Sequence, residues 1–242
     1  MTARAQLESL LRARKLDVTL TSSAARQPDD GDRLAATGWP ELDDPLGGGV
    51  RRGHLSEIVG PRSSGATTLF FAIAAAATAR GEVVALVDTH DRFDPASAQE
   101  AGIDLARLLW IRESGNAERA LKAMNLVLQA GGFGLVAFDL ADARGPALRQ
   151  FPHTTWMRIA RIVDGSATVA LLLGAEHIAR SPGGVTIALE REGQSAAVEW
   201  AGNNARNRRL RGLTIRPRMI SARAPATVAP SRSMSRTGTT AG

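Results

Sequence analysis

Cysteine is absent from this 242-residue chain. Disulfides, thiolate zinc clusters and thiol nucleophiles are thereby excluded, and nothing argues for secretion. Long apolar runs are missing too: the longest, Leu69 to Ala79, is interrupted at Thr78 and falls short of the roughly 20 residues that cross a bilayer. Met1-Thr2-Ala3-Arg4-Ala5-Gln6-Leu7-Glu8 holds no apolar core of a signal peptide. A soluble cytoplasmic protein with no membrane partner is the expectation. No internal repeat is visible. From Asn203 onward there is no acidic residue, while Arg206, Arg208, Arg209, Arg211, Arg216, Arg218, Arg223, Arg232 and Arg236 are all basic. The net charge is +6, so the first 202 residues carry −3. A basic ending suits an acidic partner, nucleic acid first, and it suits a solvated surface equally well.

What is present is enough for one sizeable core with appendages, since 44% of the residues are apolar. Residues 1–20 form the first appendage. Within residues 3–16, Leu7, Leu10, Leu11 and Arg14 recur at i, i+3, i+4 and i+7, the spacing of an amphipathic helix. So short a helix needs a surface to dock on. A neighbouring subunit, another protein or its own domain would each serve. A polar linker spans 21–35, the core is expected over 36–220, and 221–242 is a basic tail too poor in apolar residues to order itself.

Within the core, residues 37–55 are dense in Pro and Gly and read as loop without regular structure. Strand and helix signals then alternate. Strands are expected at Leu55–Val59, Val83–Val87, Leu108–Ile111, Leu135–Phe138 and Thr168–Leu173. Helices are expected at Leu69–Arg80, Asp94–Gln99, Ala117–Ala130 and His153–Val163. Apolar strands without polar alternation, separated by helices, imply an α/β fold with a mostly parallel central sheet. Val185–Glu190, Ala197–Trp200 and Leu213–Arg216 alternate in polarity and are expected as short antiparallel strands at the C-terminal edge.

The chemistry gathers at Gly60-Pro61-Arg62-Ser63-Ser64-Gly65-Ala66-Thr67-Thr68, between an apolar strand and an apolar helix. The glycines match the first and sixth places of G-x-x-x-x-G-K-[ST]. In that motif backbone amides cradle phosphate, a lysine neutralises it and a hydroxyl holds magnesium. Ala66 stands where the lysine belongs, and Thr67 keeps the hydroxyl. Losing one charge-assisted contact of about 1.5–3 kcal/mol weakens phosphate binding by one to two decades. Hydrolysis suffers more, because the charge that develops in transfer loses its counter-ion. A bare strand-to-helix turn is the alternative reading. Leu135–Phe138 running into Asp139 favours the phosphate loop, since a magnesium-positioning acid sits at such a strand end. His54, His153 and His177 lack metal-ligand spacing, so no metal site is expected. Trp39, Trp110, Trp156 and Trp200 are scattered, as packing residues are.

Together these residues resemble the ATP-binding core of the RecA recombinase family. The resemblance is carried by Thr37-Gly38, Leu42-Asp43, Leu46-Gly47-Gly48-Gly49, Arg52-Gly53, Glu57 to Pro61, Ser63 to Gly65 and Thr67-Thr68. Val87-Asp88, Asp94-Pro95-Ala96, Ala101 to Leu105, Gly115 to Leu121 and Leu135 to Asp139 follow in the same order. It implies a RecA-like P-loop core, with the helix at 3–16 (Leu7, Leu10, Leu11) as a protein-joining segment that also allows self-association. It also exposes departures. His90 stands where the family's D-x-E-x-x-x-D-P stretch has its catalytic Glu, with Asp91 one place late. The segment after Asp139, a long DNA-binding loop in the family, is the short Leu140–Pro146, and Glu176-His177 replace an Asn-Gln sensor.

A short, degenerate RecA relative with a basic extension is similar to the ImuA family of mutagenic-repair accessory proteins. That resemblance implies a pseudo-ATPase with no catalytic residues and no required cofactor, binding ATP and magnesium weakly at most. It implies an ImuB-like protein, RecA and an error-prone polymerase as partners in SOS translesion synthesis. DNA would be met by Arg206, Arg208, Arg209 and Arg211. The alternatives are an ATP-driven recombinase paralogue with a substituted cation and an SOS cell-division inhibitor.

Overall fold

The computed structural model describes residues 33–143, 148, 151–179 and 183–189, and the strand backbones at 198–201, 209–213, 217–220, 225–227 and 234–235. The expected helix at 3–16 and most of the linker lie outside the described residues.

The core opens with a small antiparallel pair, β1 (Leu34–Ala35) on β2 (Val50–Arg51). Between them sits a one-turn helix, α1 (Pro40–Asp43). The Pro- and Gly-rich stretch is therefore not free of regular structure as expected. Pro40 is compatible with a first helical position, where its missing N–H has no role, and Gly49 is required because a Cβ there would fall 2.1 Å from the Ala35 carbonyl oxygen.

Strands and helices then alternate: β3 (Leu55–Val59), α2 (Ala66–Ala79), β4 (Val84–Asp88), α3 (Pro95–Glu100), β5 (Leu108–Arg112), α4 (Ala117–Ala130), β6 (Leu135–Asp139), α5 (His153–Val163), β7 (Val169–Gly174) and β8 (Thr186–Leu189). The C-terminal strands are β9 (Val198–Ala201), β10 (Arg209–Leu213), β11 (Pro217–Ile220), β12 (Pro225–Thr227) and β13 (Met234–Ser235). The main sheet has eight strands in the order β12-β11-β8-β3-β7-β6-β4-β5. From β8 to β5 every neighbouring pair is parallel, and β11 and β12 close one edge antiparallel.

Alternate residues of the central strands feed two cores. Ile58, Leu86, Ala137 and Leu171 pack with Phe70, Ile73 and Ala74 of α2. Val87, Val136, Phe138 and Leu172 pack with Met124 and Val127 of α4 and Trp156 and Ile159 of α5. A period of two along each strand sends them to opposite faces, so helices cover both sides of an α/β sheet. No helix among the described residues is long and apolar enough to cross a membrane.

The C-terminal expectation needs correction. The segment at 185–190 is no antiparallel edge strand: β8 runs parallel to β3 and lies inside the sheet. Its Thr186 looks like an outward polar residue in sequence, but it is buried, its hydroxyl donating to Glu57. β9 belongs to a three-stranded sheet with β10 and β13; of the strand expected at Leu213–Arg216, Leu213 ends β10 and the rest lies outside the described residues. β12 and β13 fall within the stretch read from composition as a tail.

Candidate functional site

Because the inner strands are parallel, the turns leaving β3, β4, β6 and β7 share one edge of the sheet, where open α/β folds take ligands. The turn after β3 is the phosphate-type loop. The Gly60 N–H donates to the Gly174 carbonyl at 3.1 Å and so ties the loop to the end of β7. A Cβ on Gly60 would come 2.6 Å from Ser64 Oγ and 2.7 Å from the Leu189 carbonyl oxygen, so only glycine fits. Ser63 and Gly65 take positive φ of 62° and 94°, and Gly65 is the N-cap of α2. No side chain caps that helix and no acid stands in its first turn, so its positive end and free amides face the loop. Thr67 and Thr68 are exposed. Ser64 Oγ is buried without a hydrogen-bond partner among the described residues.

Two further turns meet this loop. Asp142, just past β6, accepts a hydrogen bond from Arg62 of the loop through Oδ1 and forms an ion pair through Oδ2 with Arg92 of the turn after β4, Nε at 3.2 Å. Asp139, closing β6, accepts the Ala141 N–H at 2.9 Å. Burial, with the neighbouring charges of Asp88 and Asp142, pushes its carboxyl up to about 6 against that hydrogen bond.

The turn after β4 is organised by Asp88, buried at 1% exposure. Its carboxylate accepts the Phe93 N–H at 2.8 Å, the Trp110 Nε1–H at 3.2 Å and the His90 N–H at 3.3 Å. His90 follows on this turn, half-buried. Asp91 takes a φ of 56°, and its carboxylate accepts two hydrogen bonds from Arg112, both 2.7 Å. That pairing holds it below the usual carboxylate range. Arg112 in turn lies over the Trp110 ring, 4.5 Å from its centroid.

One member of this end of the sheet escaped the sequence reading. Glu57, mid-strand in β3, is 1% exposed. It accepts the N–H groups of Ile178 at 3.0 Å and Ala179 at 2.7 Å and the Thr186 hydroxyl at 3.2 Å, and it lies in ion-pair contact with His177 Nδ1. It thereby fixes the segment after β7, and His177 serves it as a partner. The available signal was a lone acid inside the otherwise apolar Leu55-Ser56-Glu57-Ile58-Val59.

Of the residues expected at the site, Gly60 to Thr68 form the loop, and Asp139 closes β6 three residues before Asp142, which pairs with Arg62 of the loop. Arg209 and Arg211 lie on β10. Arg206, Arg208, Leu7, Leu10 and Leu11 are outside the described residues. Among those described, no group of three His, Asp or Glu is placed to hold a metal. The backbone frame and the unmatched Ser64 hydroxyl fit a phosphate group. Ala66 puts a methyl at the place where the motif has its cation.

The family model for the RecA N-terminal domain matches residues 26–149, which take in this loop, the turn after β4 and Asp139. Protein RecA of Bifidobacterium longum (strain NCC 2705) is 35% identical over 121 residues, 50% of this chain and 30% of that protein. Protein RecA of Deinococcus radiodurans is 37% identical over 115 residues, covering 47% of the chain and 31% of that protein. For Protein RecA of Chlorobium chlorochromatii the identity is 38% over 112 residues, 46% and 31% of the two chains. The chain thus spans under a third of the length of these curated relatives.

Proposed function

This chain belongs to the RecA family, and we propose that within it the protein is a non-hydrolysing member that serves mutagenic, damage-induced DNA synthesis as an accessory factor. The observation that carries the reading is the pair of substitutions at the catalytic edge of the sheet. Ala66 leaves the phosphate loop without its cation, and His90 occupies the place of the family's catalytic Glu while Asp91 is held by Arg112. A neutral methyl and an imidazole supply neither the charge that stabilises phosphoryl transfer nor a carboxylate to orient water. The loop frame persists because Gly60, Gly65 and the strand pairings that fix it also support the sheet.

By similarity to the ImuA family, the partners are an ImuB-like protein, RecA and an error-prone polymerase. By the same similarity, Leu7, Leu10 and Leu11 are a protein contact, and the arginines at 206–211 are a DNA contact. ATP turnover by the purified full chain, with and without single-stranded DNA, is the test. No turnover is expected. Turnover at RecA-like rates that Thr67→Ala abolishes would overturn the proposal. One observation favours a second reading, an ATP-using paralogue: Arg62 brings a guanidinium to the loop that lost its lysine.

A further inference from the structure

Position 66 leaves the loop short of a positive charge, and the cations that approach it are arginines. The chain's lysines are Lys15 and Lys122, and Lys122 sits on α4, which packs on the sheet face opposite to α2. Arg62 belongs to the loop, and Arg92 belongs to the turn that Asp88 holds in place after β4. Both reach the same carboxylate, Asp142. Their side chains are 76% and 68% exposed while Asp142 is 20% exposed, so a largely buried acid holds two exposed guanidiniums at the mouth of the loop. The trio carries a net positive charge, and each guanidinium keeps most of its five N–H donors unspent on Asp142. Behind it stand the uncapped start of α2 and the buried Ser64 hydroxyl, which has no partner among the described residues.

We infer that Arg62 and Arg92 together form a binding site for a polyphosphate chain, free or carried by a nucleoside, with Asp142 as the internal anion that this chain displaces. The inference rests on reading residues 60–68 as a phosphate cradle without its lysine. An exposed guanidinium–carboxylate pair is weak. Guanidinium–phosphate contacts are bidentate and stronger, and a polyphosphate offers both arginines oxygens at once. Exchange therefore runs toward phosphate, but Asp142 opposes it twice, first by holding the arginines and then, once released, by repelling the ligand. The acid sets the concentration at which the site fills.

Calorimetry on the full chain in magnesium-free buffer, with inorganic tripolyphosphate and with ATP as probes, tests this. Asp142→Asn is expected to tighten tripolyphosphate binding about three- to twentyfold, the relief of two surface pairs. Arg62→Gln and Arg92→Gln are each expected to weaken it about tenfold, while Glu41→Gln, an equal charge change on α1, leaves it unaltered. Tighter binding of ATP than of tripolyphosphate assigns the site to nucleotides, and equal binding assigns it to polyphosphate itself. An unchanged affinity in Asp142→Asn or in Arg92→Gln overturns the inference, as does no tripolyphosphate binding at millimolar concentration by both wild type and Asp142→Asn. A response to Asp142→Asn seen only with a single-stranded oligonucleotide also overturns it. ATP turnover accompanied by the Asp142→Asn effect would refute the non-hydrolysing reading and leave this one standing.

Discussion

Asp88 and Asp139 are partners in register, each the last residue of its strand on the adjacent parallel β4 and β6. Burial raises the Asp139 carboxyl to about 6, with the charge of Asp88 adding to the effect. A carboxyl raised in the folded state holds its proton more tightly there than in the unfolded chain. Its contribution is therefore most favourable below pH about 4, declines as pH rises from about 4 to about 6, and is flat above. Asp139→Asn removes this slope. Urea unfolding of the two proteins from pH 4 to pH 8 should show the variant gaining about 1–3 kcal/mol on wild type across that window. Parallel pH profiles would dismiss the account.

Glu57 holds two backbone amides, a hydroxyl and His177 from a position with 1% exposure. Glu57→Ala leaves those donors unmatched in the interior and should cost about 3–5 kcal/mol by denaturant unfolding. Glu57→Gln, which keeps one acceptor oxygen, should cost less. Amide exchange at Ile178 and Ala179 should accelerate in the Ala variant ahead of the β6 amides. Uniform acceleration would instead mean global loss of stability.

Restoring the lysine separates frame from charge. Ala66→Lys should tighten ATP binding by one to two decades in calorimetry, while turnover stays absent as long as His90 remains. Ala66→Lys with His90→Glu should recover measurable hydrolysis. Should the single variant bind no better than wild type, the loop frame would not be competent for phosphate.

The basic stretch needs a test that spares the sheet. Deletion from residue 203 would remove β11, which pairs with β8. Substitution of Arg206, Arg208, Arg209 and Arg211 by Gln leaves that strand intact. If these side chains meet DNA phosphates, the slope of log affinity for single strands against log salt should fall by about 3. An unchanged slope would take them out of the interface.

Local pattern made much of this molecule legible. α4 and α5 were readable to the residue because a 3.6-residue period marks each one, and Asn116 and Gly131 frame α4 with a cap and a stop. The loop was legible because its glycines are enforced by crowding and by positive φ. What could not be read depends on partners distant in the chain. Glu57 finds Ile178, Ala179 and Thr186 only after the sheet has ordered its strands. Asp91 has its role decided by Arg112, which β5 presents. The parallel course of β8 was hidden because a threonine satisfied by a buried acid has the same letter as one facing water.

The strand order carries a consequence for how the chain is made. β3 pairs with β7 and β8, both far downstream, whereas β4, β5 and β6 pair among themselves. During synthesis the β4–β5–β6 unit can close while the strand that launches the phosphate loop has no neighbour. Such long-range pairing is slow and leaves an apolar edge open while it waits. The loop is thus finished only after residue 189 has left the ribosome, and nascent chains halted earlier should present Leu55–Val59 to chaperones.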